Sequence, residues 1–257
     1  ICLLPHQFCN LTEVCIRQTD TMDAICRKIR LASILGTIQA SFTYFPYLRP
    51  IWKETTEKEA LLGVSMTGIM DNALTNGKQP NLEPRLQMLR KIAVDTNEFY
   101  AKRLGINKAA AVTAVKPSGT VSQLCDTSSG IHARYNDYYI RTVRGDNKDP
   151  LTQFLIDQGI PSEPCNRSPE QTTVFSFPMK SPKGSVTRHD MTAIEQLKMW
   201  LMYQRHYTCH KPSVTVDVRD EEWHEVGRFV FKHFDEMSGV SFLPRFEHTY
   251  QQAPYQD

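Results

Sequence analysis

The chain has 257 residues, 40% apolar and 23% charged, which is enough for one large core and too balanced for disorder. The formal net charge is +2 and no block of consecutive Lys or Arg occurs, so the footprint of a nucleic-acid binder is missing. No apolar run approaches a bilayer span, and the first residues carry neither the basic region nor the cleavage site of a secretory signal, so no membrane partner and a cytoplasmic setting are expected.

In chain order, residues 6–14 read as a short strand followed by turn or cap residues. Residues 21–40 place Met22, Ile25, Ile29, Ala32, Ile34, Leu35 and Ile38 at near-helical spacing, and a second helical pattern covers 57–74. A third helix starts at Asn81 with Pro84 in its first turn. It carries Leu86, Leu89, Ile92, Ala93 and Phe99 on one face and stops at Gly105. Residues 112–116 form a β-branched strand. A helix over 149–158 is closed by Gly159, and a strand over 172–177 is stopped by Pro178. A long helix over 191–207, a strand over 213–218, a helix over 220–237 and a last strand over 240–243 complete the alternation. Residues 161–169 and 180–184 read as surface loops. Strands alternating with helices imply an α/β architecture with a largely parallel sheet or barrel, in one domain or part of one.

Seven cysteines, at positions 2, 9, 15, 26, 125, 165 and 209, form no Cys-x-x-Cys pair. Neither a disulfide scaffold nor a metal site is expected, and most of these thiols read as small buried hydrophobes in a reducing compartment. Trp52, Trp200 and Trp223 are core or interface anchors, and Asp220, Glu221 and Glu222 read as a helix cap and solvated face rather than as an acid–base pair. The sharpest local signal is Pro117-Ser118-Gly119-Thr120-Val121-Ser122, directly after the 112–116 strand. A glycine that admits a close backbone approach, hydroxyls and free N–H groups at a helix start suit a phosphate; the other reading is an ordinary strand-to-helix turn with Thr120 as N-cap.

That loop is one of eight segments spread along the chain. The others are Leu3-Leu4-Pro5-His6-Gln7-Phe8-Cys9-Asn10-Leu11-Thr12-Glu13-Val14, Ser65-Met66-Thr67-Gly68-Ile69-Met70-Asp71, Ser128-Ser129-Gly130-Ile131-His132-Ala133-Arg134, Tyr138-Tyr139-Ile140-Arg141, Lys211-Pro212-Ser213-Val214-Thr215-Val216, Gly239-Val240-Ser241-Phe242-Leu243-Pro244 and Gln252-Ala253-Pro254-Tyr255. Together they resemble the adenosylcobalamin-dependent (class II) ribonucleotide reductases, in particular the monomeric ribonucleoside-triphosphate reductase branch. The resemblance implies the C-terminal portion of a ten-stranded α/β barrel of the ribonucleotide reductase and glycyl radical enzyme type, spanning residues 1–257.

It further implies reduction of ribonucleotides, of the triphosphate class, to 2′-deoxyribonucleotides for DNA precursor synthesis, with adenosylcobalamin as cofactor and thioredoxin or another dithiol as reductant. A thiyl radical formed after Co–C homolysis removes the ribose 3′ hydrogen, and the 2′ hydroxyl leaves as water. Cys9, in Cys9-Asn10-Leu11, corresponds to one half of the redox pair, and residues 117–122 to the substrate phosphate site. The other redox cysteine and the Asn-x-Cys-x-Glu finger loop are expected upstream of Ile1; Cys2 lacks the flanking Asn and Glu and reads as an incidental thiol. No tail cysteine pair follows Tyr255. The alternative is a subunit inactive alone, whose partner chain brings the radical cysteine. A phosphate-binding transferase resting on residues 117–122 alone is a third reading. His132, Lys211 and Ser213 are weaker candidates for the cavity lining, with Arg134 and Arg141 beside them, each weighed against an ordinary surface or hydrogen-bonded role.

Overall fold

The computed structural model describes residues 3–245 and 251–257; Cys2 lies outside them. Strand β1 (Asn10–Cys15) is followed by α1 (Met22–Ala40) and α2 (Pro50–Glu59), then by β2 (Leu62–Thr67), α3 (Leu82–Leu104), β3 (Thr113–Ala114) and the short α4 (Gly119–Leu124). Next come β4 (Tyr138–Asp146), α5 (Pro150–Asp157), β5 (Ser162–Pro164), β6 (Thr172–Lys180) and α6 (Ala193–His206). The described chain closes with β7 (Thr215–Val218), α7 (Trp223–His233), β8 (Ser241–Pro244) and β9 (Tyr255–Gln256).

Strands β1, β2 and β3 pair in parallel, Asn10 opposite Leu62 through Cys15 opposite Thr67, and Val64 opposite Thr113. Beyond β3 a parallel bridge joins Val115 to Pro212, and Ser213 N–H donates to the Val115 carbonyl at 2.8 Å. The run therefore continues to the parallel pair β7–β8. Each parallel neighbour is reached through a helical crossover that covers the sheet, as this pairing demands. Thr21 caps α1 by accepting from Ala24 N–H, and Thr192 and Glu195 form a reciprocal capping box on α6. Trp200, Tyr203 and Tyr207 of α6 and its end are fully buried, yet each polar tip is satisfied: Trp200 Nε1 donates to Pro212 O at 2.8 Å, Tyr203 OH to Thr75 O at 2.8 Å and Tyr207 OH to Val64 O at 2.9 Å.

Several expectations change. The 57–74 helix does not form; α2 ends at Glu59 and β2 follows. All six residues of β2 are buried, so no alternation separates it from a helix, and only its β-branched residues and length argue for a strand. The 112–116 strand shortens to Thr113–Ala114. The sheet is not parallel throughout: β5, β6, β4 and β9 form an antiparallel sheet, with Tyr138 opposite Lys180 and Asp146 opposite Thr172. Pro178 does not stop β6. β5 covers only Thr173–Phe175, so one side of β6 at Pro178 has no strand partner and a residue without N–H is tolerated there. The 161–169 loop accordingly contains β5, and Lys180 belongs to β6. The helix expected over 220–237 narrows to α7, flanked by 3-10 turns at Asp220–Glu222 and Phe234–Glu236. Phe99, expected in the core, is 54% exposed, and Trp223 is exposed as well. Of the described cysteines only Cys165 is buried; the other five are half-buried, and none is in a disulfide.

Gly68, at the end of β2, has φ +79° and a Cβ placed there would overlap the carbonyl oxygen of Ile16. Gly68→Ala is expected to cost at least about 2 kcal/mol, because left-handed strain and a backbone clash act together. A urea unfolding midpoint measures it, and an unchanged midpoint would contradict this account.

Candidate functional site

Cys9 immediately precedes β1 and is half-buried. Burial pushes its thiol up to about 11, partly offset by the Lys116 ammonium, so it is a protonated thiol at neutral pH. Two turns of the pleat further along β1, Glu13 Oε1 accepts from Ser65 Oγ of β2 at 3.1 Å, and Ser65 Oγ in turn accepts from Lys116 N–H at 3.0 Å. Burial raises the Glu13 carboxyl to about 7, with the Ser65 hydrogen bond and Lys116 pulling the other way. One polar chain thus links β1, β2 and the exit of β3.

The sign of the Glu13 effect is definite. A carboxyl held near 7 in the fold, up from its ordinary 4.5, binds a proton more tightly folded than unfolded. Its contribution to stability is fully present below pH 4.5 and is lost as pH rises to about 7. Glu13→Gln should flatten this part of the pH–stability profile, read from melting temperatures between pH 4.5 and 8; an unaltered slope would remove Glu13 as its source.

From Lys116 the chain enters residues 117–122. Ser118 occupies the N-cap position of α4, where Thr120 was expected, and its side chain makes no capping bond. Its Oγ is buried without a hydrogen-bond partner, as is Thr127 Oγ1 just after α4. Ser122, fully buried, turns its hydroxyl back to the Ser118 carbonyl, so it braces the turn. Thr120 and Val121 are exposed, and a Cβ built on Gly119 would meet nothing within 4 Å. Gly119 therefore leaves open space at the start of α4, where Gly119 N–H already donates to Pro117 O at 3.0 Å and the Thr120 and Val121 amides by helix geometry lack intrahelical acceptors. With only six residues in α4, local N–H and hydroxyl donors outweigh any macrodipole.

The segment after α4 is held by a network that sequence reasoning did not assign. Asp71, 3% exposed, accepts at Oδ2 from Ser128 N–H at 2.8 Å and at Oδ1 from Ser185 Oγ at 3.0 Å. Arg134, 4% exposed, meets the same carboxylate with Nε and NH2, both at 2.9 Å, and donates from NH1 to Asp126 Oδ1 at 3.1 Å. Burial alone would lower the guanidinium pKa, but the hydrogen bonds and charge of Asp71 outweigh it and raise it. Both residues lie in quoted motifs, but they are 63 positions apart and only the fold pairs them.

The weaker candidates fall around β7. His132 donates from Nδ1 to Ser129 O at 2.9 Å and accepts Thr215 N–H at Nε2 at 3.0 Å, partners that fix the neutral Nδ1–H tautomer. Ser213 tethers the approach to β7 through its own N–H. Lys211 is exposed and runs beside Gly239; among the described residues its side chain makes no hydrogen bond to residues 117–122. Arg141 stacks over the Tyr255 ring at 4.4 Å. Among the described residues no cluster of three or more His, Cys, Asp or Glu could hold a metal ion, and no helix is long and apolar enough to cross a membrane.

No family model matches the chain. It is 28% identical over 240 residues to the adenosylcobalamin-dependent ribonucleoside-triphosphate reductase of Lactobacillus leichmannii, an alignment covering 82% of this chain and 32% of that protein. The corresponding reductase of Euglena gracilis is 29% identical over 211 residues, covering 80% and 29%. A probable reductase of the same name from Dictyostelium discoideum is 26% identical over 257 residues, covering 98% and 33%. The chain thus spans about a third of the length of these relatives. A crystal structure of a B12-dependent (class II) ribonucleotide reductase superposes with a TM-score of 0.84 at 26% identity, covering 99% of this chain and 39% of that one. The alpha subunit of a class Id ribonucleotide reductase from Actinobacillus ureae, at 11% identity and a TM-score of 0.56, shares the fold.

Proposed function

We propose that this chain, a homologue of the class II ribonucleotide reductases over part of their catalytic barrel, belongs to a protein that reduces ribonucleoside triphosphates to 2′-deoxyribonucleotides, and that residues 1–257 are the C-terminal part of its single barrel domain. The observation that carries the substrate side is the buried, unpartnered Ser118 Oγ beside open space at Gly119. Leaving a hydroxyl buried without a partner costs about 1–3 kcal/mol, and an anionic oxygen bound there would recover it. Ser118, the exposed Thr120 hydroxyl and the Thr120 and Val121 amides would hold the phosphates, with Ser122 bracing the turn from within. Their contribution is to fix the ribose in place rather than to do chemistry on it.

Cys9 would deliver the electrons. Its thiol and that of a second cysteine each lose one hydrogen, a disulfide forms between them, and the 2′ hydroxyl leaves as water, so two electrons and two protons balance each deoxynucleotide. A high thiol pKa suits this role as a hydrogen source, and partial exposure leaves room for an external dithiol, such as thioredoxin, to reopen the disulfide. Adenosylcobalamin, on which the relatives are named as dependent, would supply when bound the radical that starts the reaction. Buried polar atoms without partners do occur, the Tyr135 hydroxyl and Arg141 Nε beside the Tyr255 ring among them, but they do not identify a corrin face. A cytoplasmic setting, where thiols stay reduced, fits this chemistry.

The test is direct. The purified protein, given each ribonucleoside triphosphate, a dithiol and adenosylcobalamin, should release 2′-deoxynucleotide and water; no product with any of the four, either alone or with a co-purifying polypeptide, would overturn the reading. If product appears only after a second polypeptide is added, the radical cysteine resides on that partner. A transferase acting through residues 117–122 would instead move phosphate and leave the ribose intact.

A further inference from the structure

We propose that Cys15 and Cys125 form a second, reversible dithiol–disulfide pair, separate from Cys9, that locks the segment 117–125 onto the end of β1. The two sulfurs lie 3.1 Å apart, inside the contact distance of two thiols, although the residues are 110 positions apart in sequence. Closing a bond of about 2.05 Å needs a shift of only about 1 Å in side chains that are both half-buried rather than locked in the core. Cys125 is the C-cap residue of α4, a single helical turn and a half whose Val121 and Leu124 are exposed, so its position can adjust without disturbing the core.

The pair is distinct from the Cys9 centre by geometry. Cys9 precedes β1 and Cys15 ends it, so about 20 Å of extended strand separates them. Cys15 donates its S–H to Cys125, and burial together with that neighbour pushes the Cys15 thiol up to about 12. Cys125 Sγ is the acceptor in that contact, and the exchange starts from it. A small-molecule disulfide such as oxidised glutathione serves as oxidant. The Cys125 thiolate attacks one of its sulfurs and expels one glutathione thiolate; Cys15, giving up its proton, then attacks Cys125 Sγ and expels the second. Two protein thiols are oxidised, two glutathiones are formed, and a dithiol reductant reverses both steps.

The functional consequence rests on the reading of residues 117–122 as the nucleotide phosphate site: a disulfide at the far end of α4 would tie that loop to β1 and make substrate binding responsive to the same dithiol pool that feeds Cys9. The chemistry itself does not need that reading. The purified protein, without nucleotide or cofactor, is exposed to millimolar oxidised glutathione, alkylated, digested and mapped by mass spectrometry, and amide hydrogen exchange is followed in residues 117–125. The expected result is a Cys15–Cys125 cross-linked peptide that disappears on adding dithiothreitol, is absent in Cys15→Ser, forms equally in Cys9→Ser, and slows exchange in 117–125 by about fivefold or more, the lower range of site-to-site coupling. Separate alkylation or glutathionylation of both thiols without a cross-link would overturn the pair, and a cross-link with unchanged exchange would overturn the lock. Neither outcome bears on whether the protein reduces nucleotides.

Discussion

Arg134→Leu should destabilise the protein by about 3–5 kcal/mol, because it leaves the Asp71 carboxylate buried with its charge uncompensated. The two residues are almost fully enclosed and their contact is bidentate, so the solvent screening that weakens surface ion pairs is missing. The loss also spreads. Asp71 anchors Ser128 N–H and Ser185 Oγ, and Arg134 NH2 holds the Asp126 carbonyl at 2.8 Å, so removing the guanidinium frees the segment behind α4 from both sides. Chemical denaturation of Arg134→Leu, Asp71→Asn and the double variant measures the coupling. Each single change should be severe, and the double should cost clearly less than their sum, since an unpaired charge remains only in the singles. Additive effects would show that the two side chains act independently.

The same network shows where sequence legibility ends. Helices α1 and α3 are readable because of their apolar spacing, with the stop at Gly105 for α3, whereas the caps at Thr21 and Thr192 emerge only from the structure. β2 is hidden for the opposite reason: buried on both faces, it shows no periodicity of two, and its apolar run merges with the pattern of α2. The antiparallel sheet is hidden by Pro178, whose tolerance depends on where β5 stops, a fact of pairing rather than of local composition. At the site, residues 117–122 are legible because small residues and hydroxyls cluster within six positions. Asp71 with Arg134, and Cys15 with Cys125, are individually ordinary residues. They acquire meaning only when β2, α4 and the segment after it converge, which depends on the parallel register of β1 with β2 and on the path out of β3.

Cys9→Ser should abolish multiple turnover while leaving nucleotide affinity within about twofold, a change of about 0.4 kcal/mol. Cys9 stands before β1, whereas Ser118, Thr120 and the α4 amides stand where the chain leaves β3, so the substitution removes no phosphate contact. Serine preserves the size and hydrogen-bonding capacity of the side chain but cannot form a disulfide, so the two electrons needed for each deoxynucleotide have no donor pair to leave from. Binding measured by equilibrium titration with a ribonucleoside triphosphate, beside deoxynucleotide formation driven by a dithiol, separates the roles. A variant that keeps cycling would place the electron source elsewhere, with the Cys15–Cys125 pair the first place to look, and the triple variant lacking all three sulfurs would decide between them. A variant that loses nucleotide binding in parallel with turnover would instead place Cys9 against the substrate, and would mean that the strand end and the phosphate loop approach each other more closely in the complex than in the free chain.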